Sequence, residues 1–161
     1  MKKKFKLVHK SGSKIFDKRG WLKKVLDGNF SSCIEIYSKK GSIRANHYHK
    51  KDQHFMYIIS GECLYFYRFR KKNSKTKFKK MKKGDLFYTP AMQEHMAFYS
   101  KNTHFLAFST RKRTKFDYEK DLIRINMDEY PEVKKKIEKY KKKKKKISFS
   151  QKTELKPNKS K

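Results

Sequence analysis

From Cys33 to Thr110 the apolar residues come in short runs, and a turn signal breaks each run before it reaches helical length. Residues 33–38 alternate, and Lys39-Lys40-Gly41 turns them. Residues 43–49 follow, with a polar turn over 50–53. Residues 54–60 form a run apolar enough to be buried on both faces, closed by Gly61-Glu62, and residues 63–69 follow it. Beyond a Lys-rich loop over 70–80, residues 86–89 stop at Pro90. Residues 95–99 and 103–110 are separated by Lys101-Asn102. Strands this short and closely spaced, with no helix between them, predict an all-β sandwich or barrel and exclude a doubly wound parallel sheet. Aromatic residues, 15% of the chain, fit half-buried strands.

Short runs over 5–9, 15–16 and 21–26 add strands before this region, and 122–125 add one after it. The predicted domain covers residues 5–125. From Asp128 the pattern changes to an acidic start with Pro131, then Tyr130, Val133, Ile137 and Tyr140 at helical spacing, which predicts a helix over 128–140. Lys141 to Lys146 repel one another, and 141–161 read as a disordered Lys-rich tail.

The net charge of +31 has two readings: a polyanionic partner such as nucleic acid or an anionic membrane reached through the tail, or a lysine-biased composition. The excess is spread over every segment and arginine is the minority, which favours the second. Two cysteines in apolar, strand-like surroundings, Cys33 and Cys63, without a CxxC pair, and an N-terminus without an apolar leader core, predict free buried thiols in a reducing, cytoplasmic setting.

Three of the six histidines lie within eight residues. His47 and His49 are two apart and share one face of a strand; His54 opens the next strand. His95 opens a later strand after a proline turn. Four imidazoles converging from neighbouring strands would suit a divalent transition metal (Zn, Fe, Mn, Ni or Cu) better than Mg or Ca. The alternative is that each is a satisfied core or surface histidine.

Two spacings then carry a family resemblance. Gly41-x5-His47-x-His49-x4-His54-x6-Gly61 resembles the first cupin motif, and Gly84-x5-Pro90-x-Met92-x2-His95-x3-Tyr99 resembles the second. His54 stands where the pattern has Glu, Met92 where it has Gly, and Tyr99 where it has Asn. The resemblance implies a single-domain cupin, an RmlC-like jelly-roll β-barrel, followed by the C-terminal helix and basic tail. It also implies a homodimer.

Asp17-x-Arg19-Gly20-Trp21-Leu22, Ile43-Arg44-Ala45-Asn46-His47-Tyr48 and residues 90–95 are similar to the cupin branch that includes nucleotide-sugar 3,5-epimerases and 3,4-ketoisomerases. By that similarity His47 falls on the base and Arg44 on a phosphate-binding arginine. The acid tyrosine of the epimerases is not evident; Phe108 falls near its position. Glu35 and Tyr37 on one strand face are further catalytic candidates, and Tyr65 and Tyr67 on another are candidates for binding the sugar.

The expected function is a metal-binding sugar isomerase or epimerase on a nucleotide sugar or other anionic small molecule, in surface-polysaccharide synthesis. His47 is the base if the site is metal-free. The alternatives are a four-His dioxygenase or similar oxidoreductase, and a non-enzymatic sugar- or metal-binding module with a polycationic tail.

Overall fold

The computed structural model describes residues 8–153. The chain divides into two compact units, one through Met127 and one from Asp128. The first is all-β apart from one short helix. Its strands are β1 (Val8–Lys10), β2 (Lys14–Asp17), β3 (Gly20–Lys23), β4 (Ser32–Ser38), β5 (Ile43–His49), β6 (His54–Ser60), β7 (Glu62–Phe69), β8 (Lys77–Lys82), β9 (Asp85–Thr89), β10 (Gln93–Tyr99) and β11 (Thr103–Ser109). A helix, α1 (Lys115–Asp121), leads into β12 (Leu122–Arg124). The expected strand over 5–9 is met in part by β1; residues 1–7 lie outside the described residues.

All pairings are antiparallel. One sheet has the order β1-β9-β6-β11-β4 and the other β12-β5-β10-β7-β8, while β2 and β3 form a separate hairpin. Consecutive strands repeatedly change sheet, which gives the two-sheet jelly roll expected of the turn spacing. Between the sheets lie Ile58, Cys63, Tyr65, Met81, Phe87, Tyr99 and Phe105, each about 1% exposed or less. Each such side chain contributes about 1.5–3 kcal/mol of apolar burial.

The strand buried on both faces is β10, not β6. In β6 only His54, Met56 and Ile58 point inward, while Phe55, Tyr57 and Ile59 stay half-buried on the outer face. Glu94, on the outer face of β10, is covered by Arg68, whose guanidinium meets it at 2.6 Å.

Gly61 turns β6 into β7 with φ +85°, and a Cβ there would stand 2.2 Å from the Asn102 carbonyl oxygen. Only glycine fits that turn. It joins the strand that starts with His54 to the strand that carries Tyr65.

The second unit is α2 (Pro131–Thr153), preceded by a 3₁₀ turn over Met127–Glu129. The helix expected over 128–140 therefore starts at its proline and runs through Lys141–Lys146. Lysine is a good helix former, and like-charge pairs on a helix cost only about 0.2–0.5 kcal/mol each. Of the expected tail, residues 154–161 lie outside the described residues. No helix among the described residues is long and apolar enough to cross a membrane.

Candidate active site

The site is organised by an irregularity in β5. His95 pairs with His47, but the next partners are Met96 and Ala45, so Asn46 is an extra residue in the ladder. Ala45 and Asn46 both adopt left-handed φ, +67° and +64°. Asparagine tolerates that region and alanine does not favour it. Such bulges bend a strand and re-aim its side chains. Residues after β12 hold this one in place: Ile125 donates its N–H to the Asn46 carbonyl at 2.9 Å, and Met127 donates to Asn46 Oδ1 at 2.8 Å.

Beyond the bulge, β5 delivers His47 and His49 into the barrel, β6 delivers His54 and β10 delivers His95. None of the four is more than 7% exposed. His47 lies 4.7 Å from His49 and 4.6 Å from His95 between ring centres, and His54 lies 5.2 Å from His95. The sequence therefore identified the cluster, but the ring nitrogens do not form one four-nitrogen set. The possible ligand atoms gather instead in two overlapping groups of three, His47–His49–His95 and His49–Asp52–His54.

Burial is the main influence on their protonation. It pushes His47 down to about 2, with the neighbouring His49, His54 and Arg113 adding to the effect. Burial also lowers His49, to about 4; Asp52 and Asp121 oppose the shift. His54 and His95 are lowered by burial as well. All four rings are neutral at pH 7, so each keeps a lone pair for a proton. His95 Nδ1 bonds the Gln93 carbonyl at 2.9 Å, which puts the proton on Nδ1 and leaves Nε2 as the acceptor.

Carboxylates stand behind two of the rings. Asp121 Oδ2 lies 3.2 Å from His49 Nδ1, and Asp52 Oδ2 lies 3.7 Å from His54 Nδ1. Burial would raise the Asp52 carboxyl, but His54 and Arg113 outweigh it and hold it near 2. Arg113 reaches Asp52 at 3.2 Å. Asp121 is fixed by the backbone N–H groups of Lys51 and Asp52, at 2.8 and 2.9 Å.

A cavity of about 150 Å³ opens against these groups. His47, His54, His95, Arg44, Tyr65 and Tyr118 line it; His49 does not. Arg44 donates from Nε to Ser38 Oγ at 2.7 Å and from a terminal nitrogen to the Tyr37 carbonyl at 3.2 Å. Both partners are neutral, so its positive charge stays available to an anion. Tyr65 stacks near His95, 6.0 Å between ring centres, and its hydroxyl bonds Thr89 at 2.7 Å.

The remaining sequence candidates lie elsewhere. Tyr67 packs against the core and stacks on Tyr65 without reaching the cavity. Glu35 and Tyr37 are not at the site. In β4 it is Ile34 and Ile36 that turn inward, which leaves the Glu35 side chain 68% exposed and paired with His104, and Tyr37 56% exposed. Phe108 sits on the outer face of β11 against Phe30, while Ala107 lines the cavity.

Sequence reasoning missed Tyr118, Asp121, Asp52 and Arg113. Tyr118 lies 6.2 Å from His47 and 5.6 Å from His49 between ring centres, and burial raises its phenol. Tyr118 and Asp121 come from α1, which falls in a segment read as a basic connector. The available signal was Thr114-x-x-Asp117, a helix-capping pattern. Thr114 Oγ1 indeed accepts the Asp117 N–H at 3.1 Å.

The sequence profile of the family described as Cupin matches residues 22–122. No curated protein matches the chain. Among solved structures, the chain is similar to a mutant 3,4-ketoisomerase from Thermoanaerobacterium thermosaccharolyticum in complex with TDP-4-keto-6-deoxyglucose: 17% identity, TM-score 0.59, covering 75% of this chain and 89% of that one. It is similar to a TDP-fucose-3,4-ketoisomerase from Campylobacter jejuni: 17% identity, TM-score 0.59, with 72% and 86% covered. A dTDP-4-dehydrorhamnose 3,5-epimerase from Sulfolobus tokodaii is a third: 17% identity, TM-score 0.58, with 73% and 77% covered. At such identity the likeness is one of fold.

These neighbours overturn the expected divalent transition metal. Epimerases and ketoisomerases of this kind are metal-independent, with the TDP-sugar as their ligand. The four-His dioxygenase reading falls with the metal.

Proposed function

The chain belongs to the cupin family, and from that membership we propose that it is an enzyme, a metal-independent isomerase or epimerase of a nucleotide-linked keto sugar. The observation that carries this reading is a cavity that brings together a neutral His47, a protonated Tyr118 and a cationic Arg44. Solved cupins of the same fold bound to TDP or a TDP-sugar support it.

The chemistry follows from the groups present. A carbon next to a ketone loses its proton to a base, and the electrons move onto the ketone oxygen as an enolate. His47 is the base, since it reaches the cavity and its lone pair is free. The imidazolium then returns the proton, either to the carbon it left or to a neighbouring one. Tyr118, protonated at neutral pH, donates to the developing oxyanion. His49, with Asp121 at 3.2 Å behind it, sits against His47, 4.7 Å between ring centres. Isomerisation and epimerisation share this first step and differ in where the proton returns.

Size assigns the parts of the substrate. The cavity is smaller than the ~300–1,000 Å³ pockets that enclose drug-sized ligands. It takes the sugar ring beside Tyr65, and the nucleotide lies outside with a phosphate on Arg44. The reading includes a cytoplasmic homodimer with surface-polysaccharide synthesis as its setting. The β2–β3 hairpin supports the dimer, since it leaves Ile15, Phe16, Trp21 and Leu22 more than half exposed.

The test is incubation with TDP-4-keto-6-deoxyglucose and chromatography of the products. Conversion by the native chain, and its loss in His47→Asn with the melting temperature kept, are expected. A native chain that neither binds nor converts any TDP-keto sugar contradicts the reading.

A further inference from the structure

A second concave site lies on the far side of Asp121 from the imidazoles. It is a cleft of about 510 Å³. Lys50 and Lys51 of the β5–β6 turn, Arg111 and Lys112 after β11, and Lys120 of α1 line it. Of its two acids, Asp121 is buried and Asp117 is exposed, and each has a partner within the chain. Asp117 accepts the Thr114 hydroxyl at 2.6 Å, and Asp121 takes two backbone N–H groups and faces His49.

The cations are not engaged. Among the described residues the side chains of Lys50, Lys51, Arg111 and Lys112 make no ion pair and no hydrogen bond; only their backbone atoms do. Elsewhere, bases of this chain take an acid when one is near, as in Arg19–Asp17, Arg68–Glu94 and Arg124–Glu119. Four uncompensated cations on the walls of one cleft repel each other and focus a positive field into it. A multiply charged anion relieves that repulsion. An arginine fork beside lysine point charges matches phosphate oxygens.

The cleft is not the outer half of the imidazole cavity. The two share no lining residue, and the void that touches residues of both, at Tyr118 and Asp121, holds only about 10 Å³. That is at most the room of a single water, so one ligand does not span both.

We propose that the cleft is a separate anion site for a phosphate-bearing small molecule, a diphosphate or a nucleotide. It is independent of Arg44 and of the sugar cavity, so it stands whether or not the keto-sugar reading holds. A ligand seated there lies against the Lys51 backbone and against Asp121, the carboxylate behind His49.

The test is titration of the full chain with inorganic pyrophosphate at physiological ionic strength, followed by calorimetry and by backbone amide shifts. Saturable binding with the largest shifts at Lys51, Arg111 and Lys112 is expected. The triple variant Lys51→Gln/Arg111→Gln/Lys112→Gln should lose at least about tenfold in affinity, a 1.4 kcal/mol change. A second triple variant, Lys71→Gln/Lys72→Gln/Lys75→Gln, removes the same charge from the β7–β8 loop and should keep its affinity. Equal losses in the two triple variants would reduce the effect to general attraction by a polycation and overturn the proposal. So would amide shifts centred on Arg44 and His47 instead of the cleft, which would place the anion in the cavity, or a titration that never saturates.

Discussion

Met92 shows how much of this site rests on single backbone positions. It adopts φ +60° in the turn before β10, at the position where the cupin pattern has glycine. Its N–H reaches the His49 carbonyl at 2.7 Å, so the turn anchors the end of β5. A left-handed non-glycine residue costs about 1–2 kcal/mol, and the greater freedom of glycine in the unfolded chain takes back part of that. Met92→Gly should therefore stabilise the fold by about 0.5–1 kcal/mol, read as a higher melting temperature with turnover unchanged. A lower melting temperature would mean that the half-exposed Met92 side chain contributes packing that outweighs its strain. The histidines were legible at this scale because their chemistry is local in sequence: two residues apart on a strand is one face. Glu35 and Tyr37 were misplaced by the same rule half applied. Alternation groups them on one face, but Ile34 and Ile36 between them already claim the interior.

At the scale of elements, α1 is where sequence reading lost the site. Seven residues are too few for a helical period to stand out, and the segment's basic composition resembles a connector. Its one cue, Thr114 capping Asp117, has a mechanical consequence, because the same helix carries Tyr118 and Asp121. Thr114→Ala should cost about 1 kcal/mol, as loss of a cap does, and lower the melting temperature by a few degrees. Turnover should fall by more than the folded fraction does, since Tyr118 and Asp121 lose their fixed positions; full activity at the lower melting temperature would show that α1 is held by packing alone. The jelly roll itself was readable because turn residues punctuate the strands at the right intervals. The bulge at Asn46 was not, since nothing in Arg44-Ala45-Asn46 announces two left-handed residues in a row.

For the whole molecule, four buried neutral histidines make stability depend on pH. In the unfolded chain each takes a proton near 6.5, while in the folded chain His49 waits until about 4 and His47 until about 2. Below 6.5 the unfolded state therefore binds more protons, and stability falls as pH falls. The loss begins near 6.5 and continues through about 4 towards 2, where Asp52 joins it as its lowered carboxylate protonates. Melting temperatures taken at intervals from neutral to about pH 4 should decline steadily; a flat profile over that range would mean that the rings are accessible to protons in the folded state. The charge of +31 works in the same direction at low pH and is damped by salt, whereas the buried histidine contribution is not.

The central claim is that His47 performs proton transfer on a keto sugar without a metal. The most direct measurement is exchange of the carbon-bound hydrogen next to the ketone of TDP-4-keto-6-deoxyglucose, followed by NMR in D₂O with a chelator present. The native chain should wash deuterium into that position at an undiminished rate under chelation, and His47→Asn should slow it by about 10²–10⁴-fold, the usual contribution of a general base. Exchange that stops on chelation, or that proceeds equally fast in His47→Asn, would contradict the account.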